Sequence, residues 1–122
     1  MSKKKILVVD DEPDIVEMLA MNLIKSGYEV VSGQNGVEAL ELVAEHKPDL
    51  VLLDVMMPEM SGLDALKRLK ADLATQNIPV VMLTAKDSPA DMAEGWDNGS
   101  DLYLIKPIVP SELMEFIKVI LE

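Results

Sequence analysis

Short runs of unbroken apolar residues alternate along the chain with longer stretches whose apolar positions recur every three or four residues. Ile6-Leu7-Val8-Val9, Leu50-Val51-Leu52-Leu53 and Val80-Val81-Met82-Leu83 are runs of the first kind, as expected of strands buried on both faces. Tyr28 to Ser32 alternates more weakly and reads as an edge strand, and Leu102 to Ile105 reads as a short last strand. Between them, Ile15, Met18, Leu19 and Leu23 lie at helical spacing behind Pro13, with Gly27 placed to stop the helix. Asn35 is placed to cap a second helix carrying Val37, Leu40 and Val43 to about Glu45. Leu63, Leu66, Leu69 and Leu73 predict a third. Ser88-Pro89 opens a fourth through Met92 and Trp96 to Asn98-Gly99, and Ser111 caps a fifth through Leu113, Phe116, Ile117 and Ile120.

Strands separated by helix-length segments pair in parallel through right-handed crossovers, and the helices then cover both sheet faces. The expected fold is α/β, a three-layer (βα)5 doubly wound parallel sheet. The most apolar strands, the first, third and fourth, belong in its middle, which favours the strand order 2-1-3-4-5. The pattern contains no linker, repeat or low-complexity segment, and 122 residues are too few for two stable cores, so residues 1–122 read as one domain.

Composition fits a globular chain, with 49% apolar and 27% charged residues. Only 3% are aromatic, so the core must be aliphatic and methionine-rich, with nine Met. The longest apolar runs fall well short of the roughly 20 residues a membrane helix needs. The run after Lys3-Lys4-Lys5 is also too short for a signal peptide. The absence of cysteine removes disulfides and thiolate ligands and suits the cytoplasm, where the chain is expected. Charge changes the picture more. Twenty-two acidic against 11 basic side chains give a net charge of −11. Such a surface repels nucleic acid and anionic lipid, so the expected companion is a cation or a basic partner surface rather than DNA or a membrane.

In sheets of this kind, ligands bind beyond the carboxyl ends of the strands, at the point where the strand order reverses. The first strand ends in Asp10-Asp11-Glu12, the third in Asp54, the fourth in Thr84-Ala85 and the fifth in Lys106-Pro107. Two carboxylate charges about 5 Å apart cost roughly 3 kcal/mol at an effective dielectric near 20. A divalent cation removes that cost, and oxygen ligands without His or Cys favour Mg²⁺, with Mn²⁺ as the alternative. An aspartate beside such an ion can act as a nucleophile on phosphorus. Lys106 can supply a point charge and Thr84 a hydroxyl donor, helped by the Ala85 N–H.

Several motifs in order carry a resemblance to the response-regulator receiver family of two-component signalling. They are Val8-Val9-Asp10-Asp11-Glu12, Leu53-Asp54-Val55-Met56-Met57-Pro58 with Ser61-Gly62, Leu83-Thr84-Ala85, and Tyr103-Leu104-Ile105-Lys106-Pro107. The resemblance spans nearly the whole chain and is similar to the chemotaxis response-regulator fold, which is flavodoxin-like. It implies that Asp54 accepts phosphate from a histidine kinase or phosphotransfer protein. Asp11, Asp54 and the Met56 carbonyl would bind Mg²⁺ directly, with Asp10 acting through water. Val55, Thr84, Ala85 and Lys106 would bind the phosphoryl group. Thr84 and Tyr103 would form the switch, altering the face made by the fourth helix, fifth strand and fifth helix and so controlling an output domain, a partner or dimer formation. Met56 and Lys86 would flank the approach of hydrolytic water. Two positions depart from the commonest pattern: Ser61, where an acidic residue is frequent, and Ile108, where Phe is frequent.

Plainer readings stand beside these. Asp10-Asp11-Glu12 before a helix could be capping and dipole complementation, Thr84 an ordinary strand-end hydroxyl, and Tyr103 static packing. Met56, Met57 and Met60 read as loop and core filling, and His46 as a solvated helix-end residue. An aspartyl-phosphate phosphatase of the haloacid dehalogenase type wants a second acid two residues after its nucleophile, and here that position is Met56. A flavodoxin-like electron carrier needs a phosphate loop after the first strand, where Asp10-Asp11-Glu12 would repel phosphate. A phosphoacceptor regulatory domain, not an enzyme acting on other substrates, is the expected function. The pattern ends with the fifth helix, which suits a stand-alone receiver or a piece of a longer regulator.

Overall fold

The computed structural model describes residues 3–55, 57, 60–84, 102–105 and 108–121, with the backbone alone for 102, 103 and 105. Its strands are β1 (Lys5–Val9), β2 (Glu29–Gly33), β3 (Leu50–Asp54), β4 (Val80–Thr84) and β5 (Leu102–Ile105). They form one sheet of order β2-β1-β3-β4-β5 in which every neighbouring pair is parallel. The described helices are α1 (Pro13–Lys25), α2 (Gly36–His46), α3 (Gly62–Ala71) and α4 (Pro110–Leu121). The helix expected from Ser88 to Asn98-Gly99 lies outside the described residues.

The three apolar runs take the centre of the sheet, where side chains on both faces leave water. Alternation along each strand divides them between two cores. Leu7, Val9, Val51, Leu53, Val80 and Met82 pack with α2 and α3 on one face. Ile6, Val8, Leu50, Leu52, Val81 and Leu83 pack with α1 and α4 on the other. Sequence-distant strand ends are thereby held side by side on a rigid base.

Local signals set most of the helix ends. Pro13 opens α1, and Gly27 follows it at φ 96°, where a side chain would be strained. Asn35 caps α2 by accepting from the Glu38 N–H at 2.9 Å. Two ends differ from expectation. α3 stops at Ala71 because Asp72 is extended (φ −95°, ψ 123°), which leaves Leu73 82% exposed rather than on the apolar stripe. α4 starts at Pro110, so Ser111 lies inside its first turn instead of capping it; the fixed φ of proline suits that first position.

Candidate functional site

Among the described residues the buried polar or charged side chains are Asp10, Asp54 and Thr84, at 1%, 3% and 1% exposure. All three stand at the carboxyl ends of the three central strands. Val9 pairs with Leu53, which sets Asp10 beside Asp54, and Asp54 pairs with Leu83, which sets Thr84 one step further on. A chain that fills the rest of its core with aliphatic side chains buries polar groups at one place only among the described residues. None of these polar atoms lacks a hydrogen-bond partner, in keeping with the penalty for burying them unmet.

The segment after β1 adds more carboxylate. Asp10 Oδ1 accepts from the Glu12 N–H at 2.9 Å. Glu12 is the N-cap of α1 yet makes no side-chain cap bond, so capping is not what its carboxylate does. Asp11 and Glu12 are exposed, and carboxylate oxygens of Asp10, Asp11 and Glu12 lie within 4.8 Å of one another. A hard cation would relieve their repulsion at that spacing, and an all-oxygen donor set without His or Cys would suit Mg²⁺ or Mn²⁺. A cleft of about 390 Å³ opens beside them, lined among others by Asp10, Asp11, Glu17 and Glu38.

Backbone contacts explain how Asp54 is held. Gly62, the first residue of α3, donates its N–H to the Val55 carbonyl at 2.9 Å. A Cβ there would collide with the carbonyl oxygen of Asp54 and approach Val55 Cα at 3.0 Å. Ser61 caps the same helix by accepting from the Asp64 N–H at 3.2 Å. Its departure from the commonest acidic residue therefore has a local role. Met57 and Met60 pack against the α2–α3 core, as filling residues do.

The backbone of Val55, an expected phosphate contact, is engaged within the sheet. The Val55 N–H donates to the Leu83 carbonyl at 2.8 Å, its carbonyl accepts from Gly62, and its side chain is buried in the core. Continuation of the β3–β4 ladder thus uses the backbone donor that phosphate would need. Met56, Ala85, Lys86 and Lys106, and the side chain of Tyr103, lie outside the described residues. His46 ends α2 with a 3.8 Å contact to Glu45, as a solvated residue can. Sequence reading missed the close approaches at Gly62 and at Gly36, whose signal was a glycine opening each helix directly after an Asn or Ser cap.

Residues 6–118 match the response regulator receiver domain family. The chain belongs to that family. This receiver is 45% identical over 118 residues to the alkaline phosphatase synthesis transcriptional regulatory protein PhoP of Bacillus subtilis, covering 97% of the chain and 48% of that protein. It is 43% identical to the phosphate regulon transcriptional regulatory protein PhoB of Pseudomonas aeruginosa, covering 97% of the chain and 52% of that protein. The receiver thus spans about half the length of these curated relatives. Among solved structures, a CheY-like receiver domain protein from Methanospirillum hungatei superposes with a TM-score of 0.93 at 30% identity, covering 98% of this chain and 94% of that one. A response regulator described as putative, from Chloroflexus aurantiacus, gives 0.93 at 35%, covering 98% of each. Among the described residues of the receiver, no helix is long and apolar enough to cross a membrane.

Proposed function

We propose that this receiver is a phosphoacceptor switch in which Asp54 takes a phosphoryl group from a histidine kinase or phosphotransfer protein. The observation that carries the reading is the burial of Asp10, Asp54 and Thr84, and of no other described polar side chain, at adjacent strand ends. In the transfer, a carboxylate oxygen of Asp54 bonds to phosphorus as the donor's nitrogen–phosphorus bond breaks, and the imidazole leaves with the electron pair. Asp11, Asp54 and the Met56 carbonyl would hold Mg²⁺, with Asp10 acting through water. That ion, or Mn²⁺, would supply positive charge against the carboxylates and the phosphoryl oxygens. Thr84 donates its hydroxyl to the phosphoryl group, joined by the Ala85 N–H and the Lys106 ammonium.

Thr84 and Tyr103 then couple the site to the face formed by β5, α4 and the helix expected from Ser88 to Asn98-Gly99. That face meets an output domain, an effector or a second phosphorylated copy. The curated relatives are named as transcriptional or DNA-binding regulators, which supports an output module beyond this receiver. The acidic receiver itself, of charge −11, is not the part that binds DNA. The expected compartment is the cytoplasm.

Acetyl phosphate with Mg²⁺ tests the reading by intact mass. Wild type should gain one phosphoryl group and Asp54→Asn none; an adduct on Asp54→Asn at the wild-type level would sink it. Met56 and Lys86 flank the hydrolytic approach in this proposal, and neither side chain can accept a proton from water to orient it. Slow loss of phosphate is expected, with faster loss in the Met56→Asn, Lys86→Glu double variant.

A further inference from the structure

The turn between β2 and α2, residues 33–36, touches both halves of the acidic site. At one end the Asp10 N–H donates to the Gly33 carbonyl at 3.2 Å, continuing the register in which Val9 pairs with Gly33. At the other end the Gly36 N–H donates to the Met60 carbonyl at 3.1 Å. Met60 precedes Ser61 and Gly62, and Gly62 is seated on the backbone of Asp54 and Val55. A chain of backbone contacts therefore runs from Asp10 through the turn to Met60 and back to Asp54.

The turn is stiff. Gln34 donates its N–H to Glu38 Oε1 at 3.0 Å, and Asn35 Oδ1 accepts from the Glu38 N–H at 2.9 Å, so its two middle residues are tied to the first turn of α2. It is also tightly fitted. A Cβ on Gly36 would meet the Met60 carbonyl oxygen at 2.5 Å and the Met60 Cγ and Cβ at 2.7 and 2.8 Å. Glycine disfavours helices, yet α2 opens on one where the backbone of a neighbouring loop passes.

We infer that this turn is a positioning element for the cation site: it fixes the spacing between the Asp10 segment and the loop that returns to Asp54. The inference rests on the proposed role of Asp10, Asp11 and Asp54 as carboxylates that share Mg²⁺. It concerns residues that do not touch the ion. Gly36→Ala would push Met60 away, and through Gly62 would shift Asp54 relative to Asp10.

The test measures Mg²⁺ affinity directly by calorimetry, together with melting temperature in chelator. Gly27→Ala is the control, because Gly27 sits at φ 96° with nothing within 4 Å of a new Cβ, at the opposite end of the sheet from Asp10. Both variants should melt lower. Gly36→Ala should also bind Mg²⁺ about tenfold more weakly, as removal of an outer-shell support does, while Gly27→Ala keeps the wild-type affinity. Wild-type affinity in Gly36→Ala, or an equal loss in Gly27→Ala, would overturn the inference. If Gly36→Ala does not fold, Asn35→Ala, which loosens the same turn, decides by the same comparison. Failure of Asp54 to take phosphate is a separate result and strikes the proposed function instead.

Discussion

Replacing Asp10 by asparagine removes a charge from a nearly sealed position while leaving an oxygen to accept the Glu12 N–H. In chelator, Asp10→Asn should therefore melt above wild type, with a gain of about 1–3 kcal/mol from relieved repulsion. It should also bind Mg²⁺ more weakly. A lower melting temperature by scanning calorimetry would contradict carboxylate crowding. Gly62→Ala is expected to act the other way, losing about 1–3 kcal/mol or more, because its Cβ meets backbone that cannot rotate aside; urea unfolding reads the loss. At this scale the sequence placed the buried polar side chains better than it foretold the packing. Asp10, Asp54 and Thr84 were legible because each ends an apolar run, where a doubly wound sheet gathers the side chains that meet its ligand. The hydrogen bonding of the Val55 backbone was not legible, because residue type does not reveal which N–H the neighbouring strand already uses.

Elements were legible where a local rule and the tertiary structure agree. The three apolar runs became the three central strands, and Asn35, Pro13 and Gly27 mark helix ends where their backbone chemistry requires. Periodicity failed at the end of α3, where Leu73 continues the apolar spacing but competing bonds take over. Thr75 Oγ1 donates to the Leu69 carbonyl at 2.6 Å, and Asp72 Oδ1 accepts from the Ala74 N–H at 2.9 Å. Lys70 Nζ then bonds the carbonyls of Gln76 and Ile78 at 3.2 and 2.8 Å, holding the segment that feeds β4. Accordingly Leu73→Ser should leave stability within about 0.5 kcal/mol of wild type, whereas Leu69→Ala, in the core, should cost about 2–5 kcal/mol. Comparable losses in a denaturant titration would return Leu73 to the packed stripe.

For the whole molecule the dominant quantity is its charge of −11. Self-repulsion at that charge is screened by salt, so the metal-free protein should melt higher as ionic strength rises. Mg²⁺ should stabilise beyond that screening, by about 2.7 kcal/mol when it exceeds its dissociation constant a hundredfold. Asp11→Asn should respond to Mg²⁺ little more than to an equal ionic strength of sodium chloride, and a full Mg²⁺ response in that variant would remove Asp11 from the site. The strand order has a consequence in time as well as in space. β1 is synthesised first yet lies between β2 and β3, and Val9 has no partner at Leu53 until β3 has been made. A ribosome-bound chain that ends before β3 lacks the strand that sets Asp54 beside Asp10. Asp54 joins Asp10 only once the third strand has docked, and Thr84 only with the fourth, so the buried polar cluster is gathered from three separate stretches of chain and is incomplete until β4 has emerged.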